Sequence, residues 1–412
     1  MSMRAPFGID APTGARSGVK ASPYAEAVQR ARDLVVDLAA TAVETESAGQ
    51  VLPANVDKLH AADLWRIVQP RSAGGLELPP SIFFDVGSQL ARGCASTSWV
   101  VGNLASHQIL LAHWPERAQQ EVWGASQATL VGSSYVFPSG KARRVDGGYL
   151  LSGRWPFSSG IDPCAWVQLG ALVAGPDGQP PERLYFQIPR ADYEILDTWD
   201  VAGLRGTGSK DVQAHEVFVP GYRTVSYEDI VHLRSPGLAL HPQPLFRFPF
   251  WAAGGYVLVS TLYGAVSAAL DHFVERTRAS ASRSSGQGLA GHSAMQQRIG
   301  RAAALLDTVE LTARRRLEDV HAMMENDGRM DVAYAARTRR DASYLATLCV
   351  EAVDVLFAGG GGSALQRNNP LQRIWRDVHA GSANFTLQWD VTGPAYGRIL
   401  LGLPSGLPGM PV

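Results

Sequence analysis

The 412-residue chain predicts a mainly helical α+β protein, with an N-terminal helical domain, a central β-barrel or sandwich and a C-terminal four-helix bundle. Three observations carry this. Apolar residues recur at three- and four-residue steps up to about Gly124, short β-favouring runs take over from about Thr129, and helical periodicity returns from Trp251 onward. The length exceeds one simple core, and the changes of pattern divide it into a flexible lead-in over 1–23, a helical domain over 24–128, a β-domain over 129–235 and a helical domain over 236–412.

Each element has its own signal. "AEAVQRARDLVVDLAATAV" places Ala27, Ala31, Leu34, Val35 and Leu38 on one stripe, and "VDKLHAADLWRIV" repeats the pattern. "GCASTSWVVGNLASHQILLAHW" is apolar on most sides, which predicts a buried helix. "TLVGSSYVF", "KARRVDGGYLLSGRWPF", "AWVQLGALV", "RLYFQIP" and "VQAHEVFVP" are strands separated by Gly, Pro and Asp turns. A proline-rich connection, "RSPGLALHPQPLFRFPF", ends the β-domain. In "RIGRAAALLDTVELTARRRLEDVHAMM", Ile299, Ala302, Leu305, Leu306, Val309, Ala313, Leu317 and Val320 form an apolar stripe with arginines opposite. "DVAYAARTRRDASYLATLCVEAVDVLF" does the same.

Composition narrows the function classes. Apolar residues make up 46%, charged residues 18%, and the formal net charge is −1, so no global field favours nucleic acid or an anionic membrane. Cys94, Cys164 and Cys349 lack the paired spacing of a zinc site or disulfide framework, and no metal site is expected. The N-terminal stretch has no signal-like apolar core, so a cytoplasmic location is expected. Phe250 to Leu270 carries no charge and is long enough to span a bilayer. It stands alone and is rich in small residues, which favours a buried bundle helix.

Several segments carry candidate chemistry. "GLRGTGSKD", Gly203 to Asp211, departs from the phosphate-loop template at Ser209 and reads as a tight turn between strands. "AGGGGSAL" follows a helix, and its glycines, Gly361 among them, precede a helix start expected at Ser363 where backbone N–H groups could meet a phosphate. In "GRWPFSSG", Trp155 or Phe157 could wall a planar cofactor while Ser158 or Ser159 reaches an edge nitrogen; taken by itself it reads as a strand end with Ser in a turn. His379, in "RDVHAGSANF", could be a core residue, a surface residue or an acid/base.

In this order, "CASTSWV" leading to His107, "GRWPFSSG", "DVAGLRGTGSKDVQAHEVFVP" and "GGGGSALQRNNPLQRIWRDVHA" resemble the acyl-CoA dehydrogenase fold. The resemblance is to its branch of two-component flavin-dependent monooxygenases, and it covers nearly the whole chain from about Tyr24. A dehydrogenase's catalytic glutamate, counted from Arg376-Asp377, falls on Phe385, which cannot accept a proton.

The resemblance therefore implies an oxygenase using reduced FMN or FAD from a separate NAD(P)H:flavin reductase, with O₂, to form a C4a-hydroperoxyflavin that hydroxylates an aromatic, phenolic substrate. It assigns His379 as the base toward the phenol, with His107 and Ser133 as further polar groups of the substrate pocket. Ser158 is assigned to flavin N5, Arg276 or its neighbour Arg278 to the flavin phosphate, and the assembly is a homotetramer. The rivals are N- or S-oxygenation on the same fold, an acyl-CoA dehydrogenase with a displaced base, and a non-catalytic flavin-binding protein.

Overall fold

The structure, a computed structural model, describes residues 21–175, 179–281, 286, 288–326 and 329–407. Most of the expected N-terminal lead-in falls outside these residues. Six helices come first: α1 (Pro23–Asp33), α2 (Val35–Ala48), α3 (Pro53–Ala61), α4 (Ser81–Gly93), α5 (Ala95–Leu111) and α6 (Glu116–Trp123). The Ser22 hydroxyl accepts from Ala25 N and Pro23 takes the first helical position, so α1 starts where its cap dictates. The stripe expected to run through Leu34 is divided there into two helices. The helix expected over "VDKLHAADLWRIV" ends at Ala61, because Asp63 adopts a left-handed conformation with φ of 55°.

Eight strands follow: β1 (Val131–Ser134), β2 (Gly140–Val145), β3 (Gly148–Ser158), β4 (Trp166–Val173), β5 (Glu182–Pro189), β6 (Glu194–Leu196), β7 (Lys210–Pro220) and β8 (Thr224–Ser226). They hydrogen-bond as one sheet in the order β6-β7-β3-β2-β4-β5-β8, with β1 pairing beside β4 in parallel. Strand alternation gives β4 two faces: Ala171 lies with Trp155 against Gly140, while Gly170 faces Phe137 and Gln168 bonds Tyr135. A bulge between Trp155 and Ser158 on the β3–β7 edge gives Phe157 a φ of 65° and turns its ring outward, leaving Ser158 buried.

The C-terminal part holds α7 (Tyr227–Val231), α8 (Phe250–Ala253), α9 (Gly255–Ala279), α10 (Ser293–Glu325), α11 (Val332–Gly359), α12 (Pro370–Ser382) and α13 (Trp389–Leu400). The proline-rich connection is packed, since Leu245, Phe246 and Phe248 are all buried. Helix α9 crosses α4 closely: a Cβ on Gly264 would lie 2.2 Å from Ser88 O, and one on Gly87 2.2 Å from Ser260 Oγ. Among the described residues, two helical segments, not one, are long and apolar enough to cross a membrane: 72% of the most apolar window in Phe250–Ala279 and 50% of that in Val332–Gly359 is buried inside the protein. On α10 the arginines are not all opposite the apolar stripe. Arg316 is buried and paired with Asp341 at 2.7 Å.

The β6–β7 turn is seated on α12. Leu204 N donates to Asp377 Oδ1 at 2.7 Å, and Arg376 donates to Ala202 O at 2.6 Å and pairs with Glu46 of α2. A Cβ on Gly203 would stand 2.1 Å from Arg376 O, so the turn and the helix approach backbone to backbone. Gly203→Ala is therefore expected to destabilise the chain by roughly 1–3 kcal/mol by forcing the two apart. Urea unfolding, which should show a lower midpoint, is the check.

Candidate active site

Helix α5, buried on nearly every side, carries His107 to the first strand of the sheet. Its Nδ1 lies 2.7 Å from Val131 O and its Nε2 2.8 Å from Ser133 Oγ. A carbonyl can only accept, so Nδ1 holds the proton and Nε2 accepts from the Ser133 hydroxyl. Burial drives the His107 pKa down to about 4 against the hydrogen bond to Val131, so the ring is neutral near pH 7. Tyr135 stands edge-on to the imidazole at 5.8 Å and donates to Gln168 Oε1 at 2.8 Å. The hydroxyl of Ser133 thus keeps free lone pairs that can accept a proton-bearing group.

The two serines of the bulge differ. Ser159 Oγ accepts from Trp99 Nε1 at 3.3 Å and lies 2.7 Å from Ser209 Oγ, which in turn lies 2.7 Å from Thr207 Oγ1. That chain of hydroxyls knits α5, the bulge and the β6–β7 turn together. Ser158 Oγ is buried and has no partner. The phosphate candidate shows the same feature: Arg276 donates through Nη2 to Ser363 Oγ, while its Nη1 is buried and unpartnered. Arg278 is exposed. Gly361 adopts φ 60° and ψ −167°, a conformation open essentially to glycine alone, and it leads into a 3-10 turn over Gly362–Leu365, not the α-helix expected at Ser363.

Two expected residues lie elsewhere. The Trp155 ring is fully buried within the β-domain and donates from Nε1 to Gly170 O at 2.6 Å, so it cannot wall a cofactor. Phe157, 65% exposed and edge-on to Trp199 at 6.3 Å, is the aromatic that the bulge presents. His379 is not brought to His107 and Ser133. Its Nδ1 bonds Trp375 O at 2.8 Å, its Nε2 faces Asp354 Oδ1 at 3.4 Å, and its ring lies 4.4 Å from that of Trp375. The α12 face that meets Leu262, Trp99 and Leu204 belongs to Gly381, two residues and about 200° away. Sequence reasoning passed over Tyr135, Gln168, Gln187 and Asp377. A lone glutamine inside the apolar runs "WVQLGALV" and "LYFQIP" was the available signal, because a buried strand does not carry one without a partner.

The comparisons agree with this geometry. Residues 256–389 match the model of the acyl-CoA dehydrogenase C-terminal domain. The chain is 33% identical over 386 residues to the flavin-dependent monooxygenase oxygenase subunit HsaA of Rhodococcus jostii, covering 92% of this chain and 98% of that protein. It is 32% identical over 394 residues to the FADH₂-dependent resorcinol hydroxylase oxygenase component of a Rhizobium strain, covering 93% and 96%. The solved structure of XiaF from a Streptomyces strain, in complex with FADH₂, superposes with a TM-score of 0.86 at 29% identity over 93% of this chain and 97% of that one.

The fold and site are those of a flavin-dependent oxygenase built on acyl-CoA dehydrogenase architecture. The chain belongs to the family of oxygenase components of two-component flavin-dependent monooxygenases, which use reduced flavin supplied by a separate reductase. Its residues fit that cofactor: Ser158 Oγ and Arg276 Nη1 are buried polar atoms of the kinds a flavin ring edge and a phosphate would engage, and each lacks a partner.

His107 also sets a pH dependence. Its folded pKa lies below the ordinary imidazole value, so its contribution to stability is complete above about pH 6.5 and is lost as pH falls toward 4. That loss is on the order of 3 kcal/mol in denaturant titrations across this window. His107→Gln should flatten the slope, although His113, also buried and driven down to about 4, leaves part of it in place.

Proposed function

We propose that the chain hydroxylates a phenolic ring, that the His107–Ser133 pair holds the phenol, and that it works as a homotetramer in the cytoplasm. The observation that carries the reading is the directed chain Ser133 O–H to His107 Nε2 and His107 Nδ1–H to Val131 O, which leaves Ser133 Oγ as an acceptor. Reduced flavin, when bound, supplies the electrons that divide O₂ between the hydroxylated ring and water. Phe385, at the position of a dehydrogenase base, is apolar and 59% exposed, and Asp377, the nearby carboxylate, already accepts from Leu204 N. Both features favour hydroxylation over the dehydrogenase reading.

Magnitudes decide what His107 does. A phenol titrates near 10 and His107 near 4, so full proton transfer in the resting pocket is uphill by roughly 8 kcal/mol. The pair therefore orients the phenol and draws on its O–H bond, raising electron density on the ring, while the proton leaves only as oxygen is added. Ser158 would hold the flavin ring edge and so suppress wasteful peroxide release. His379, turned toward Asp354, is a positioning residue of α12 in this reading.

Arg276 lies fourteen residues along α9 from Leu262, the residue that meets Gly381, which is roughly 21 Å of helix. That separation supports an Arg276–Gly361 cluster that reaches the flavin of a neighbouring subunit. Exposed Leu365, Phe385, Trp389, Leu400 and Leu401 supply apolar surface for such packing.

The deciding experiment mixes the protein anaerobically with reduced FMN or reduced FAD, admits O₂ with a phenol, and measures hydroxylated product. No product from any phenol with either flavin overturns the reading. Ser133→Ala should lower hydroxylation by roughly 10²–10⁴-fold with peroxide replacing product, whereas His379→Ala should cost far less. Ser158→Ala should raise the peroxide released per flavin oxidised, through loss of about 1 kcal/mol or more of hydrogen bonding. Light scattering should give four subunits per particle, and a monomer at micromolar concentration contradicts the assembly.

A further inference from the structure

The sheet face next to the His107–Ser133 pair carries a second group of polar atoms that nothing among the described residues satisfies. Ser133 is in register with Gln168 across β1 and β4, and Gln168 with Gln187 across β4 and β5, so the three side chains stand in one row. Both glutamines are fully buried. Gln168 Oε1 accepts from Tyr135, but Gln168 Nε2 and both polar atoms of Gln187 have no partner. Tyr185, two residues from Gln187 on the same face, has an unpartnered buried hydroxyl, and so has Trp251 Nε1, whose ring lies parallel to that of Tyr185. Buried polar groups are almost always paired, so five such atoms on one small face point to a group that arrives from outside the chain.

We infer that Gln168 and Gln187, with Tyr185 and Trp251, form the recognition end of the substrate cavity and take a neutral hydroxyl or carbonyl borne by the substrate on the side remote from its phenol. The inference rests on the phenol reading for the Ser133 end. Two amide N–H₂ groups and an indole N–H donate, and Gln187 Oε1 accepts, which suits an oxygen that both accepts and donates. All four groups are neutral, burial holds the Tyr185 phenol well above its ordinary range, and Arg183 on the same strand face is paired with Glu228. A carboxylate would lose its hydration among these four groups, none of which carries a charge to replace it. Length follows from the register: neighbouring strands lie about 4.8 Å apart, so Ser133 and Gln187 stand about 10 Å apart. The substrate is therefore an aromatic with polar groups at both ends.

The test compares a naphthalene bearing hydroxyls on both rings with one bearing a single hydroxyl, in the holoenzyme with reduced flavin and, separately, as a thermal shift without flavin. The wild type should favour the doubly substituted probe by at least about tenfold in kcat/KM. Gln187→Leu should bring that ratio to within about twofold and erase the extra thermal shift, while raising the melting temperature of the ligand-free protein by removing unsatisfied buried atoms. Gln187→Met repeats the comparison if the leucine variant does not fold. Equal treatment of the two probes by the wild type overturns the inference. So does a Gln187→Leu variant that melts earlier and keeps the preference, since the glutamines would then hold internal water. A preference that survives in the thermal shift and vanishes in Gln187→Leu, with no hydroxylation of any phenol, upholds the binding site and overturns the catalytic reading alone.

Discussion

The interaction on which the rest of the site depends is the Arg376–Asp377 clamp. It joins three parts of the chain, α2, the β6–β7 turn and α12, through hydrogen bonds and an ion pair. Arg376 holds α2 through Glu46 and the β6–β7 turn through Ala202 O, while Asp377 accepts from Leu204 N. Burial raises the Asp377 pKa to about 6, with the Leu204 N–H and Arg373 opposing the rise. A carboxylate is kept at that cost because the backbone N–H of a left-handed turn has no other acceptor there. From the seated turn, Thr207 and Ser209 extend hydroxyls to Ser159, which fixes the bulge and with it the placement of Ser158. The charged pair thus acts on the bulge through the turn that it seats.

The site itself is built from neutral polar groups in apolar surroundings, and this choice has a consistent logic. His107 is neutral because burial makes its charged form costly, and its tautomer is fixed because Val131 offers only an acceptor. A histidine with a neutral-range pKa would be a stronger base but would arrive already paired with a proton part of the time. In the Ser133–His107–Val131 chain each donor and acceptor has a defined direction before substrate enters, so little reorganisation is needed there as charge shifts onto the ring. Unpartnered Ser158, Gln168 and Gln187 lower the stability of the empty protein, and a bound flavin or substrate would recover that free energy.

The architecture was legible in the sequence because period is a local property. The helical stripes, the β-runs and the return of helix after Phe250 each follow from spacing alone. The places where local reading failed have physical causes. Asp63 in a left-handed conformation ended a helix that periodicity would have continued. The bulge after Trp155 reversed which aromatic faces outward, and a bulge depends on the partner strand. Arg316 was buried among apolar neighbours because Asp341, on another helix, pairs with it. Resemblance named His107 and Ser133 together, but their direct bond is a tertiary fact.

His379 shows where a motif and a helix disagree. Side chains four apart share a helical face, so Asp377 with Gly381 and Trp375 with His379 define two opposite faces of α12. Asp377 and Gly381 are buried, and they meet Leu204, Trp99 and Leu262. The sequence therefore contained the conflict: if the aspartate of the Arg-Asp pair seats the turn, the histidine two positions later must face away. Its partners, Trp375 and Asp354, hold α12 against α11. The histidine that meets Ser133 is the one on α5, placed there by a helix buried on nearly all sides. The one on α12 meets Trp375 and Asp354.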